Sequence, residues 1–334
     1  MEVAGRYEAF DLEDSADVGA VRRRLATLAA AAGLDEARTG DAALIATELA
    51  SNVLKHARRG GAVLGVLREH DRRGVEIAVW DRGPGMNLDA CLRDGISTAG
   101  TRGAGLGAVA RLATRYDAYT PHGRGSVVVA AVFPNGPAPP ARFAIGAACV
   151  PFPGLPVCGD AWAAHVGGER VTLIMCDGLG HGDGAAAAAA AVIAAFGAAP
   201  EDPLAAILER ADRAARTTRG AAATVARIDL ASREVAVAGV GNVAAWVAGD
   251  TLEQLVIQHG TLGQAIPQIR EERYPFVPGA RLVMCSDGIK SRWSFDDHPG
   301  LTACHPTTIA TAMWRDLSRG RDDASVVVAC EAVR

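Results

Sequence analysis

No two of the seven cysteines form a Cys-x-x-Cys pair, and their odd number leaves no complete disulfide framework. Five of them, Cys149, Cys158, Cys176, Cys285 and Cys330, stand in or beside apolar runs. They read as buried thiols in a reducing cytosol, not as a zinc site. Lysine and arginine are scattered, and the net charge is -4. A nucleic-acid partner needs a clustered basic face, and none is present. Aromatic residues are few, at 5%. The longest alanine run, after Gly184, is short and flanked by polar residues, so no membrane span is expected. The start, Met-Glu-Val-Ala-Gly-Arg-Tyr, lacks a basic stretch followed by an apolar core, so no signal peptide is expected. These absences predict a cytoplasmic protein that binds neither nucleic acid nor membrane.

What the chain does have is 334 residues with an apolar fraction of 49%, enough for two domains with real cores. The stretch 134–140, Pro-Asn-Gly-Pro-Ala-Pro-Pro, can continue neither strand nor helix. The boundary is placed there, giving domains 1–135 and 142–334 around a short, stiff linker 136–141.

In the first half, apolar spacing predicts helices over 15–32 and 35–56. Ser15 or Asp17 would cap the first and Gly33 would end it. Ile45, Leu49, Val53 and Leu54 share one face of the second. Glu48 and Asn52 are four apart and project from one side; taken alone, such a pair reads first as a solvated stripe. Two strand-like runs follow, 62–68 and 74–80. The second runs into Asp81-Arg-Gly83-Pro-Gly85-Met86, a carboxylate at a strand end beside glycines. A glycine-rich loop, 94–107, leads into a helix over 108–116. Glycine amides at a helix start can hold phosphate, although surface loops are glycine-rich too. A strand over 125–133 closes this half.

The second half alternates strands with turns over 143–150, 161–166 and 171–176. Helices follow over 184–197 and 203–218. Further strands fall at 222–229, 234–239, 244–248 and 281–285, then a helix at 307–318 and a strand at 324–330. Strands in runs with helices grouped between them predict an α+β layer fold. Asp160, Asp177, Asp287 and the pair Asp322-Asp323 each border an apolar run where a strand meets a turn. One such aspartate is usually a turn residue. Four at strand ends can converge on one edge of a sandwich, where cations would have to neutralise them.

Glu48-x-x-x-Asn52, Asp81-x-Gly83-x-Gly85-Met86 and Gly103-x-Gly105-Leu106-Gly107 together resemble the ATPase domain shared by histidine kinases, Hsp90 and DNA gyrase. The tract 94–107 is most similar to the small serine-protein kinases of bacterial stress signalling, the RsbT type. That resemblance implies a Bergerat-type α/β sandwich binding ATP with Mg²⁺. It implies that Glu48 is the catalytic base and that Asn52 is the Mg²⁺ ligand. It also implies Asp81 against the adenine amino group, Gly85 admitting the base, and Gly103, Gly105 and Gly107 as the phosphate lid. Gly83, Met86, Leu106 and Ser126 complete the nucleotide set.

Gly159-Asp160, the run Asp177-Gly-Leu-Gly-His-Gly182, Gly239-Val-Gly-Asn242, Ser286-Asp287-Gly288 and Asp322-Asp323 resemble the metal-dependent serine/threonine phosphatases of the SpoIIE branch and its small RsbX-like members. This implies an α-β-β-α sandwich with two Mn²⁺ or Mg²⁺ held by Asp160, Asp177, Asp287, Asp322 and the Gly178 carbonyl. Many SpoIIE-type members carry a second aspartate where Ala163 stands, so a third metal is not implied. The expected whole is a bifunctional partner-switching regulator. Its kinase would act on a STAS-domain protein, with a sigma factor or stressosome-like complex as further candidate partners. The alternative is a phosphatase governed by an N-terminal domain that only binds ATP or sequesters a sigma factor. A scaffold with both sites silent is a third reading.

Overall fold

The structure is a computed structural model and describes residues 2–3, 7–69, 72–88, 105–136, 141–264, 266 and 268–332. They fall into two compact units. The N-terminal unit is Arg6–Ala138 together with Phe295–Arg315; the C-terminal unit is Met1–Gly5, Pro139–Ser294 and Asp316–Arg334. The proline-rich linker therefore marks one crossing between units but not the only one. Residues 295–315, expected in the second half, pack with the first.

The chain opens with a two-residue strand, β1 (Glu2–Val3), whose partner lies in the C-terminal unit. The N-terminal unit is built on a five-stranded antiparallel sheet. Its strands are β2 (Tyr7–Leu12), β3 (Gly60–Glu69), β4 (Arg72–Asp81), β5 (Arg115–Tyr119) and β6 (Val127–Val132), in the order β2-β3-β4-β6-β5. Helices α1 (Ser15–Ala31), α2 (Glu36–His56) and α3 (Gly105–Leu112) pack on one face. Asp14 caps α1, in place of the expected Ser15 or Asp17. Its backbone is extended, and its carboxylate accepts from the amides of Ala16 and Asp17 at 2.7 and 3.2 Å. Asp17 instead answers from inside the helix, accepting from the Asp14 amide.

Alternation along β4 sorts its side chains. Val75, Ile77 and Val79 enter the core with Val21, Leu25, Ile45 and Leu49 from the helices. Each fully buried side chain of this kind contributes about 1.5–3 kcal/mol. Glu76, Ala78 and Trp80 point the other way. That second face is covered too, because Thr307 hydrogen-bonds Glu76 and Trp314 meets Trp80 edge-on at 4.7 Å. Both residues belong to α6 (Pro306–Leu317), whose residues up to Arg315 count with this unit. Two strands escaped the sequence pattern: β2, and β5, which takes up the end of the helix expected over 108–116. Leu106 and Val109 bury their side chains one turn apart, so the helix starts early, at Gly105, and stops at Leu112.

The C-terminal unit has two antiparallel sheets. The six-stranded one runs β1-β8-β9-β10-β11-β14, with β8 (Asp160–Gly167), β9 (Arg170–Gly178), β10 (Ala221–Asp229), β11 (Glu234–Val240) and β14 (Glu272–Pro275). The five-stranded one runs β13-β12-β15-β16-β7, with β7 (Phe143–Val150), β12 (Ala244–Ala248), β13 (Leu252–Gln254), β15 (Arg281–Cys285) and β16 (Ala324–Glu331). Helices α4 (Asp183–Ala198) and α5 (Leu204–Ala215) bury Val192, Phe196, Ile207 and Leu208 against the six-stranded sheet. Strands β7 and β16 lie against β8. No helix among the described residues is long and apolar enough to cross a membrane.

Candidate functional sites

In the N-terminal unit, Glu48 and Asn52 sit one turn apart on α2, both half-buried. The residues beside them, Leu49 and Val53, are buried in a cluster that also holds Leu106 and Val109 of α3, with Met86 packed against it. That cluster draws together α2, the start of α3 and the turn after β4. Asp81 ends β4 and is buried. Its carboxylate accepts from the Gly83 amide at 2.6 Å, which folds the turn back on itself. Ser126 is buried as well, and its carbonyl accepts from the Asp81 amide at 3.0 Å. Gly85 has φ of +77°, and a Cβ there would meet the Pro121 carbonyl at 2.6 Å, so the position admits only glycine. Gly105 and Gly107, expected in the lid loop, form the first turn of α3; Gly103 lies outside the described residues.

Sequence reasoning missed what lies behind this turn. The buried Arg315 guanidinium donates to the Asp81 carbonyl at 3.4 Å, and Arg82 donates to the Arg315 carbonyl. Buried Glu76 pairs with Arg115 at 3.0 Å. Burial pushes the Glu76 carboxyl up, against the pull of Arg115. His305 is held well below its ordinary value by burial and then by the Arg115 charge. Nothing in the spacing of 295–315 signals that these residues serve the first half.

In the C-terminal unit the register of β8 on β9 sets Asp160 directly opposite Asp177. Gly178 follows, pairing with Ala221 of β10 and donating to the Gly159 carbonyl at 3.1 Å. Asp287 stands in the turn after β15, and Asp322-Asp323 immediately precede β16. Gly288 lets these two turns touch, since a Cβ there would lie 2.0 Å from the Asp323 carbonyl. Asn242, one of the residues that carry the phosphatase resemblance, donates to Asp287 at 2.7 Å and to Asp177 at 3.4 Å. It ties the two carboxylates together. Asp323 accepts from the Phe152 amide at 2.7 Å and Asp322 from the Asp323 amide at 2.9 Å.

The charge here is uncompensated. Both carboxylate oxygens of Asp160 are buried without a well-formed hydrogen bond, with only the Ser286 and Ser325 hydroxyls near enough to favour its charged form. Burial, then the charge of Asp177, push the Asp160 carboxyl well up. Burial, then Asp287 and Asp322, raise Asp177 from 3.8 to about 7, against the pull of Asn242. An orphaned buried carboxylate among three more is the donor chemistry that a hard divalent cation satisfies. Among the described residues no three acidic, imidazole or thiol groups form a ready-made metal cluster. The donors come as adjoining pairs, Asp160 with Asp177 and Asp177 with Asp287.

Residues 12–132 match the family described as histidine kinase-like ATPase domain. The serine/threonine-protein kinase RsbT of Bacillus subtilis (strain 168) is 33% identical over 96 residues, covering 28% of this chain and 72% of that protein. The chain belongs to the RsbT-like family. Behind its RsbT-like domain it carries a phosphatase domain, since residues 167–330 match stage II sporulation protein E (SpoIIE). A chain from a structure of the bacterial stressosome, described as a modular system adapted to control secondary messenger signaling, is 26% identical. It superposes with a TM-score of 0.53 over 57% of this chain and 100% of its own. RsbX in complex with magnesium shares the fold at 17% identity, with a TM-score of 0.51 over 58% of this chain and 98% of that one. The protein thus joins an RsbT-like kinase domain to a SpoIIE-type phosphatase domain, the pairing of parts found in partner-switching regulation of stress responses. These families imply ATP in the first domain and Mn²⁺ or Mg²⁺ in the second.

Proposed function

We propose that the C-terminal domain removes phosphate from phosphoserine or phosphothreonine on a cytoplasmic protein, and that the N-terminal domain phosphorylates serine or threonine of a STAS-domain protein with ATP. The observation that carries the phosphatase reading is Asp160, buried opposite Asp177 with neither oxygen in a well-formed hydrogen bond. Asp160, Asp177, Asp287, Asp322 and the Gly178 carbonyl would hold two Mn²⁺ or Mg²⁺. Such ions supply the Lewis acidity that makes water nucleophilic at neutral pH and cancels the repulsion of the carboxylates. Asn242, bonded to both, would keep Asp177 and Asp287 together as ligands.

In the N-terminal domain, Glu48 would accept the proton of the attacking hydroxyl, and Asn52, one turn on, would hold the Mg²⁺ that accompanies ATP. Asp81 accepts from the adenine amino group while its turn is held by the Gly83 amide. Gly85 would leave room for the base, and Gly105 and Gly107 at the start of α3 would line the phosphates, together with Gly103 outside the described residues. Gly83, Met86, Leu106 and Ser126 complete the pocket.

Likeness to RsbT and to a stressosome chain supports STAS-domain partners. Two opposed activities in one chain would cycle to no effect, so one of them is gated by a partner or by nucleotide. Labelled ATP and a STAS-domain protein test the first domain: Glu48→Ala should abolish transfer, and undiminished transfer would refute the assignment. Asp177→Ala should abolish Mn²⁺-dependent release from a phosphorylated STAS protein. Both reactions at full rate on one substrate without a partner would refute gating.

A further inference from the structure

Two thiols that the proposed reactions do not use lie beside the acidic site. Cys149 is on β7, and Cys158 precedes β8 by two residues. Their sulfurs are 3.5 Å apart. Both are unbridged; Cys149 is buried and Cys158 is half-buried. The segment joining them holds Pro151, Pro153 and Pro156, which restrict the chain and keep its ends together. The Phe152 amide, bonded to Asp323, pins its middle.

The Cys149 sulfur is wired to the site, and Cys158 adjoins it through Gly159. The Ser325 hydroxyl donates to the Cys149 sulfur at 3.0 Å, and the Ser325 amide donates to the Ser286 hydroxyl at 2.9 Å, next to Asp287. Cys149 also contacts the Asp160 carbonyl at 3.6 Å. Gly159, between Cys158 and Asp160, has no slack. A Cβ there would lie 2.7 Å from both Ala185 and the Asp323 carboxylate.

We propose that Cys149 and Cys158 are a peroxide-sensitive dithiol whose disulfide switches the phosphatase site off. The half-buried Cys158 reacts first. Its sulfur attacks a peroxide oxygen, an S–O bond forms as the O–O bond breaks, and the thiol proton leaves with the hydroxide as water. The Cys149 thiol then displaces water from the Cys158 sulfenic acid, forming the S–S bond as the S–O bond breaks. Two thiols give up two electrons, and hydrogen peroxide becomes two waters. A disulfide needs the sulfurs at about 2.0 Å, well inside their present spacing. Cys158 has to move, and Gly159 passes the displacement to Asp160 and Asp323. In a reducing compartment such a bond is transient, as a switch requires.

The effect on turnover rests on the phosphatase reading above; the bond itself does not. The test treats the full chain with limiting hydrogen peroxide, blocks free thiols and digests it with trypsin. Both cysteines fall in the single peptide 143–170. The expected result is that this peptide loses two hydrogens and escapes blocking, that dithiothreitol reverses this, and that Cys149→Ser or Cys158→Ser prevents it. Two freely blocked thiols after treatment would overturn the proposal. Mn²⁺-dependent phosphate release should fall about tenfold or more in the oxidised wild type, the scale on which disturbed supporting partners of a metal site act. It should return with dithiothreitol and stay unchanged by peroxide in Cys149→Ser. A bond that forms without loss of turnover would overturn the switch. A chain with no Mn²⁺-dependent release even when reduced would instead refute the phosphatase reading, and the peptide would still report the bond.

Discussion

Asp160 of the phosphatase unit is buried in the opposite way to Glu76 and Asp81 of the RsbT-like unit. In the RsbT-like unit each buried acid has a partner supplied by the protein: Glu76 has Arg115 and Thr307, and Asp81 has the amide of its own turn. In the phosphatase unit Asp160 has no cation and no well-formed hydrogen bond; it faces the charge of Asp177, which in turn faces Asp287 and Asp322. The first arrangement is finished when the chain folds. The second is left open for something the chain does not contain. A buried acid is thus structural or functional according to whether its neighbours complete it.

The sharpest way to break this contrast is to remove one charged group from each unit's network. Asp160→Ala should cost Mn²⁺-dependent phosphate release about 10³-fold, since several kcal/mol of barrier lowering depend on the bound ions. The same change should stabilise the metal-free protein by about 1–3 kcal/mol, because it deletes an unsatisfied buried group. A loss of metal-free stability would mean that Asp160 is structural after all. Arg115→Ala should do the reverse, leaving Glu76 buried without its cation and destabilising the N-terminal unit by about 3–5 kcal/mol in urea unfolding. An unchanged midpoint would remove the contrast. Asn242→Ala should have a smaller effect, about tenfold in Mn²⁺ affinity or turnover, because it supports two carboxylates without being one.

The pH dependence carries a sign. In the metal-free protein Asp177 keeps its proton up to about 7, whereas the unfolded chain loses it near 3.8. The raised value contributes stability that is fully present below the unfolded pKa and is lost as pH rises through about 7. Relative to Asp177→Asn, the metal-free wild type should therefore lose stability across that window. Mn²⁺ competes with the same proton, so its apparent affinity should climb up to about pH 7 and flatten above. Parallel melting curves for the two proteins would contradict this account.

Strand ends were the legible part of the sequence. Apolar runs that stop at Asp81, Asp177 and Asp287 place each acid at a turn, because alternation and glycine are local signals. Glu48 and Asn52 were legible as helix neighbours for the same reason. Long-range pairing was not. Asn242 reaches Asp177 and Asp287 across 65 and 45 residues. Cys149 meets Cys158 around a proline loop whose path no pattern specifies. The strand β5 hid inside a helical pattern, because Arg115–Tyr119 earns its place only by pairing with β6. The helix α6 was read as a helix, but its apolar face does not say which sheet it will cover.

That helix sets an order on biosynthesis. The strands of the N-terminal sheet are complete at Val132, yet the residues that cover its second face, Thr307 and Trp314 among them, leave the ribosome more than a hundred and fifty residues later. Throughout that interval Glu76, held only by Arg115, and Trp80 lack that cover. A fragment ending at the proline linker would keep that face bare. The isolated kinase half should therefore be sticky and less stable, and an assay of it needs residues 295–315 supplied with it.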